Sequence, residues 1–200
     1  NNMGTIIFFD YEANTNGELK ALGAVNKKKT LYVTENPHMS SLFKPNVARL
    51  KQLYNRPHWL TRKVNKRIGI SVARMDDVIS TDMKVDFLKI DTQGSEFEIL
   101  LGAKKTIEKE KPIIYCECWL ENVYDKAPKV DKILSLLDKI GYQIAAIDVG
   151  ADWDLKSSKG FPGRRVPVGL DVLCVPRDFE KKSIERLICF VALLEIFGLY

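Results

Sequence analysis

The residue best placed to do chemistry is Asp91, within the run Val85-Asp86-Phe87-Leu88-Lys89-Ile90-Asp91-Thr92-Gln93-Gly94-Ser95-Glu96-Phe97-Glu98. Val85, Phe87, Leu88 and Ile90 are β-compatible, and the polar stretch after them contains Gly94, so a buried strand ends in a carboxylate and turns sharply. Open α/β sheets bind ligands at such carboxyl ends. A carboxylate fixed there can orient a ligand or ease the departure of a proton. The other reading of Asp91 is a helix cap or turn anchor. A second carboxylate, Glu117, ends the next apolar strand, 113–118, and shares its face with Tyr115 and Trp119 at period two, a combination able to line a pocket. Its alternative is a pair with a lysine at the sheet rim.

These side chains need a scaffold. Ser95 reads as an N-cap, Glu96 and Glu98 meet the positive end of the helix dipole, and Phe97, Leu100 and Leu101 make one apolar face of a helix over 95–109. Glu96 thus has a helix-stabilising role open to it as well as a site role. Upstream, strands are expected at 5–11, 30–34 and 68–74, a helix from Pro45-Asn46 to Tyr54, and a short helical link at 75–79; the apolar patch 19–25 is ambiguous. Downstream, Ile133, Leu134, Leu136, Leu137 and Ile140 set a helix that ends at Gly141. Strands 142–148 and 168–175 follow, around a loop at 156–167. Ala146 to Asp152 superficially resembles a ligand-binding glycine loop, but no helical periodicity follows it, so it reads as a strand entering a hairpin. Strands alternating with helices predict a mixed sheet covered on both faces.

Composition narrows the class. The chain has 200 residues, 46% of them hydrophobic and 28% charged, which excludes disordered and fibrous proteins. We expect one α/β domain over 1–180 and an apolar helix over 181–200, packed on the domain or on a partner. Leu187 to Tyr200 is too short to span a membrane, and it offers a surface for homo-oligomers. The net charge of +5 is scattered, and its densest patches are Lys27-Lys28-Lys29 and the group Arg56, Arg62, Lys63, Lys66 and Arg67. A solvated helix face explains the latter better than a nucleic-acid surface does. Cys116, Cys118, Cys174 and Cys189 form no Cys-x-x-Cys pair, and His38 and His58 lack zinc spacing. Free buried thiols point to a reducing, cytoplasmic setting, and no required metal is expected.

The runs VDFLKIDTQGSEFEILLGA, KPIIYCE and GLDVLCVP together resemble the carboxyl-terminal half of the FkbM family of S-adenosylmethionine-dependent methyltransferases. In that family the first run reads close to "vDfiKiDvEGaElevLkGa". The likeness covers roughly residues 30–180, including SSLFKPN at 40–46 and MDDV at 75–78. It implies a Rossmann-like class I methyltransferase sheet, mostly parallel with an antiparallel last strand pair, and S-adenosyl-L-methionine as cofactor. The implied reaction is O-methyl transfer to a hydroxyl of a sugar, glycan or secondary metabolite. Asp91, at the end of the fourth strand, and Glu117 are then the expected catalytic groups, with Asp91 and Gln93 at the cofactor and Ser40, Ser41, Glu96 and Trp119 at the acceptor. Two departures stand out. Gln93 replaces the family's usual Glu, and the family's glycine loop, "DvGAniG", has no counterpart before residue 30. The chain is therefore expected to be incomplete at its N-terminus, and the rival expectation is a non-catalytic methyltransferase-like module engaged in protein–protein interaction.

Overall fold

A computed structural model describes residues 6–8, 20–53, 57–154 and 165–198. Strands β1 (Ile6–Phe8), β2 (Lys20–Leu22) and β3 (Lys27–Thr34) come first. Helices α1 (Val47–Leu53) and α2 (His58–Thr61), strand β4 (Val64–Ala73) and the single turn α3 (Met75–Val78) follow. Strand β5 (Phe87–Ile90) leads into α4 (Glu96–Gly102) and α5 (Lys104–Glu110), then β6 (Ile113–Trp119) and α6 (Val130–Lys139). The long strands β7 (Tyr142–Asp154) and β8 (Arg165–Pro176) precede the terminal helix α7 (Ile184–Ile196).

Among the described residues the strands form two sheets, one ordered β1-β5-β6-β8-β7 and one ordered β2-β4-β3. In the larger sheet β1, β5 and β6 are parallel, while β8 is antiparallel to both its neighbours. The expected antiparallel last pair is present, and among the described residues β1, β5, β6 and β7 run in one direction with β8 opposed to them, as the mostly parallel expectation has it. After β6 the chain crosses through α6 to the outermost position, β7, and then reverses into the gap it left, so β8 adds two antiparallel contacts instead of one. The segment Ala146–Asp152 lies inside β7, which continues to Asp154; the expected loop falls largely at 155–164, outside the described residues.

The smaller sheet was only half legible. The patch at 19–25 contributes β2, and β3 starts earlier than expected because Lys27, Lys28 and Lys29 pair with Val72, Ser71 and Ile70 of β4. Its inner side chains, Leu31, Ile70 and Val72, are buried. The sheet meets α4 closely at Gly102: a Cβ there would sit 2.0 Å from the Gly23 carbonyl oxygen.

Apolar faces of α4, α5 and α6 cover one side of the larger sheet. Ile99, Leu100, Ile107, Ile133 and Leu137 pack on Leu88, Ile90, Ile114 and the free thiols Cys116, Cys118 and Cys174. Burying each such aliphatic chain stabilises by roughly 1.5–3 kcal/mol. On the other side, α7 lays Phe190, Leu193, Leu194 and Phe197 against Phe87, Ile113, Leu173 and Val175. Arg186 pins this helix: it donates to Asp86 Oδ1, Glu110 Oε2 and the carbonyls of Val85 and Glu110, at 2.8 to 2.9 Å. Ile184, Ile188, Val191 and Ile196 of α7 stay exposed. Among the described residues no helix is long and apolar enough to cross a membrane.

The single helix expected over 95–109 is two helices meeting at Ala103. The second starts without a side-chain cap of its own, and Asp76 of α3 supplies one from a distance. Its carboxylate accepts the amides of Lys105 and Thr106 and the Thr106 hydroxyl, and also bonds Arg74. Those bonds overcome burial and hold the Asp76 carboxyl below its ordinary range.

Candidate active site

The turn after β5 is built from an unusual pair of conformations. Gln93 has φ 56° and Gly94 has φ 114°. Gly94 is required on steric grounds too, because a Cβ there would approach Ala127 to 3.2 Å. Ser95 occupies the cap position without making the side-chain bond expected of it. Glu96 takes over: Oε1 accepts the amides of Thr92 and Gly94 at 2.9 Å and the Thr92 hydroxyl at 3.1 Å. This carboxylate is buried beneath the turn, and burial raises its proton affinity despite those donors. Oε1 thus ties the turn together, while Oε2 is buried with no hydrogen-bond partner among the described residues.

Both serine hydroxyls bond protein groups. Ser40 Oγ accepts the Thr34 amide at 3.2 Å and is internal to its own turn. Ser41 Oγ donates to the Gln93 carbonyl at 2.6 Å and accepts the Phe43 amide at 2.9 Å, tying the loop after β3 to the turn after β5.

Gln93 is the centre of the site. Its Nε2 donates to Glu117 Oε2 at 2.8 Å and lies 3.4 Å from Asp91 Oδ1, while its Oε1 accepts the Tyr124 hydroxyl at 2.7 Å. The strand-end residues Asp91 and Glu117 are thus brought together through one amide. Asp91 is the exposed member, 3.6 Å from Lys89 Nζ. Glu117 is part-buried, and no lysine pairs with it among the bonds and ion pairs of the described residues. Burial first, and then the charges of Asp91, Glu96 and Asp171, push its carboxyl well above the usual range, against the pull of Arg62.

Trp119, two residues further along the strand, is buried and meets Tyr124 edge to face at 5.9 Å. Its Nε1 has no hydrogen-bond partner among the described residues. Tyr115, on the same strand face, packs on Phe197 at 5.3 Å, so it belongs to the α7 side of the site.

Three contributors escaped the sequence reading. Asp171 sits directly across from Glu117 and from Asp148 in the strand register. Burial and then Asp91 raise its carboxyl. Only the insertion of β8 beside β6 creates that row, so nothing local in the sequence marks it. Tyr124 lies in a loop whose bridge from Pro45 to Tyr124 closes the site. Arg62, expected on a solvated face, is instead buried over the rings of Trp119 and Tyr124, at 5.5 and 5.8 Å. Among the described residues no group of three or more His, Cys, Asp or Glu side chains is arranged to hold a metal.

A part-buried carboxylate beside an exposed strand-end acid, on an α/β scaffold, is the arrangement on which comparison with known families bears. The sequence profile of the methyltransferase FkbM domain matches residues 2–144. The chain belongs to the FkbM methyltransferase family. No curated protein and no solved structure matches it. The family assignment makes this chain methyltransferase-like in sequence, and its mixed α/β sheets fit a methyltransferase-like fold. In this FkbM domain the matched region contains Asp91, Gln93, Glu117 and Tyr124, whereas Asp171 lies beyond it.

Proposed function

We propose that the protein is an S-adenosylmethionine-dependent O-methyltransferase of the class I, Rossmann-like type, with Glu117 as the group that takes the proton of the acceptor hydroxyl. The observation that carries this reading is the crowding of Glu117 and Asp91, at the carboxyl ends of β6 and β5, with Asp171 of β8, which faces Glu117. Burial first, and then repulsion from these neighbours, makes Glu117 a stronger base than an ordinary carboxylate, and Gln93 holds one of its oxygens in place.

The same crowding suits the cofactor. S-adenosylmethionine supplies a methyl group on a positively charged sulfur, and excess negative charge at the carboxyl ends of the strands favours such a cation. Asp91, exposed at the strand end, is the residue to contact it. Gln93, engaged by Glu117, Tyr124 and Asp91, acts as a positioning residue. Residues 9–19, which follow β1 beside β5, lie outside the described residues.

Methyl transfer is an in-line displacement, so alignment of the acceptor oxygen dominates the rate. Glu117 orients a hydroxyl by accepting its hydrogen bond and then receives its proton, and Trp119 walls the approach from Glu117 toward Tyr124. This chemistry fits hydroxyls of sugars, glycans or secondary metabolites, which are poor nucleophiles until a base assists them. The test is calorimetric titration of S-adenosylmethionine into the protein, followed by transfer of labelled methyl to a panel of sugar and polyol acceptors. Saturable binding and labelled methyl ether support the reading. No binding at millimolar cofactor overturns it in favour of a non-catalytic module.

A further inference from the structure

The Tyr124 hydroxyl has one hydrogen and two acceptors within reach, Gln93 Oε1 at 2.7 Å and the Met39 carbonyl at 3.1 Å. It can fill only one at a time. The Gln93 amide has a matching choice, since its oxygen and nitrogen exchange places when the group turns half a revolution about Cγ–Cδ. Gln93 and Tyr124 are buried, so their polar atoms look to each other and not to solvent. The Ser41 hydroxyl bonds the Gln93 carbonyl at 2.6 Å, which holds the backbone while the amide turns. An ionised Glu117 only accepts, so the amide must show it Nε2, at 2.8 Å, and Oε1 then takes the phenol hydrogen. A protonated Glu117 reverses both demands. Its O–H donates to Oε1, Nε2 donates to the phenol oxygen, and the phenol hydrogen goes to Met39. Both contacts of the amide are kept with their direction reversed, and the second acceptor of the hydroxyl comes into use.

We propose that Tyr124 is a positioning residue for Glu117, acting through the Gln93 amide: when Glu117 takes up a proton, the amide turns over and the Tyr124 hydroxyl passes from Gln93 to the Met39 carbonyl. The proposal rests on the reading of Glu117 as the base, and it concerns what the neighbours do once that base holds the proton of the acceptor. The same side chain then anchors the carboxyl before and after transfer, and no proton moves beyond the one Glu117 has received. Asp91 from the turn after β5, Glu96 from α4 and Asp171 from β8 oppose ionisation of Glu117, and Arg62 from the end of α2 favours it. Asp91, itself 3.6 Å from Lys89 Nζ, also biases the amide. Its Oδ1 lies 3.4 Å from Nε2 and would repel Oε1 in that place, which ties the reversal to the proton on Glu117 and opposes free rotation.

The coupling is tested by NMR on the folded protein without any substrate. Carbon-13 in methionine carbonyls and nitrogen-15 in serine amides single out the Met39–Ser40 pair, because the other methionines precede Gly4, Asp76 and Lys84. A second sample carries carbon-13 in the glutamate carboxyls, and Glu117→Gln assigns the Glu117 resonance. As pH falls, the Met39 carbonyl is expected to move downfield with the midpoint of the Glu117 titration, since it gains a hydrogen bond. That movement should vanish in Tyr124→Phe, which keeps the ring, and in Glu117→Gln, which has no carboxyl to titrate. A mere field effect of the Glu117 charge would survive in Tyr124→Phe, so movement that persists there overturns the proposal. A Met39 carbonyl that stays still through the wild-type Glu117 titration overturns it too. Should Tyr124→Phe not fold, Gln93→Met removes the amide and keeps the hydroxyl, and loss of the movement is required of it instead. These results leave the base assignment standing; full methyl transfer by Glu117→Gln would overturn that assignment and leave the coupling to be judged on the Met39 carbonyl alone.

Discussion

Gln93 Nε2 lies 2.8 Å from Glu117 Oε2, so the amide stands where a carboxylate would collide electrostatically with its partner. The family's usual Glu at this position would set two carboxylates in hydrogen-bond contact. Such a pair must share a proton. Gln93→Glu is therefore expected to raise the pH at which methyl transfer is half-maximal by about one unit or more, with little change in maximal rate once both groups are ionised. A pH–rate profile of the two proteins decides it, and an unchanged acid limb would count against the contact.

Glu117→Gln removes the base while keeping an acceptor oxygen for the Gln93 amide. Methyl transfer should fall by roughly 10²- to 10⁴-fold. A base works in its ionised form, and burial followed by neighbouring acids raises Glu117 above the ordinary 4.5, so the wild-type rate should rise with pH through a value above 4.5 and disappear below it. The stability effect has the opposite sign. A raised carboxyl favours the protonated native state, so its contribution to stability is greatest at low pH and is lost as pH rises; Glu117→Gln should melt no lower than wild type at neutral pH. A calorimetric scan checks this.

Asp76 makes four bonds, three of them to α5 and one to Arg74, from a side chain that is 1% exposed. Asp76→Ala leaves the amides of Lys105 and Thr106 without that acceptor and should cost about 1–3 kcal/mol in urea unfolding. The carboxyl is held below 3.8 by those bonds, so its stabilisation is complete above 3.8 and fades as pH falls through the lowered value. Equal stability of variant and wild type at pH 7 would refute the remote cap.

Arg186 fastens α7 through two carboxylates and two carbonyls. Arg186→Met leaves buried Glu110 with Lys109 and takes from Asp86 the guanidinium that bonds it, and is expected to destabilise by about 3 kcal/mol, the scale of breaking a buried ion pair. Burial pushes Glu110 up, but Lys109 and Arg186 outweigh it and hold the carboxyl below 4.5, so wild type should lose its advantage over the variant as pH falls through that range. Paired urea titrations at pH 7 and pH 3 measure the difference.

Gly102→Ala would drive a methyl group to 2.0 Å from the Gly23 carbonyl oxygen. Backbone must move to admit it, so α4 and the smaller sheet should separate. We expect a loss of about 2 kcal/mol or more and faster amide exchange in β2 and β4 than in β5 and β6. Uniform exchange across both sheets would show that the contact is not what joins them.

Local pattern made the central block readable. The strand, the Gly94 turn and the amphipathic α4 each follow from residue types within a few positions, and the family likeness rests on the same run. Tertiary contacts decided the rest. No spacing in the sequence places Asp171 opposite Glu117, since that needs β8 to enter the sheet out of chain order. Arg62 reads as one more surface cation until α2 turns it under Trp119 and Tyr124. Ser95 looks like a cap, yet Glu96 reaches back to satisfy the turn amides first. The Lys27-Lys28-Lys29 run hides a strand because its stabilising partners are in β4.

The late arrival of β8 sets a timetable for synthesis. While a ribosome is still making β7, the slot between β6 and β7 is vacant and both strand edges are open to pairing with the wrong partner. Glu117 then has no Asp171 beside it, and Tyr115 has no Phe197 above it. Asp171 comes to face Glu117 only after β8 has emerged, so a polypeptide halted before it carries the family's signature run without the carboxylate that stands opposite.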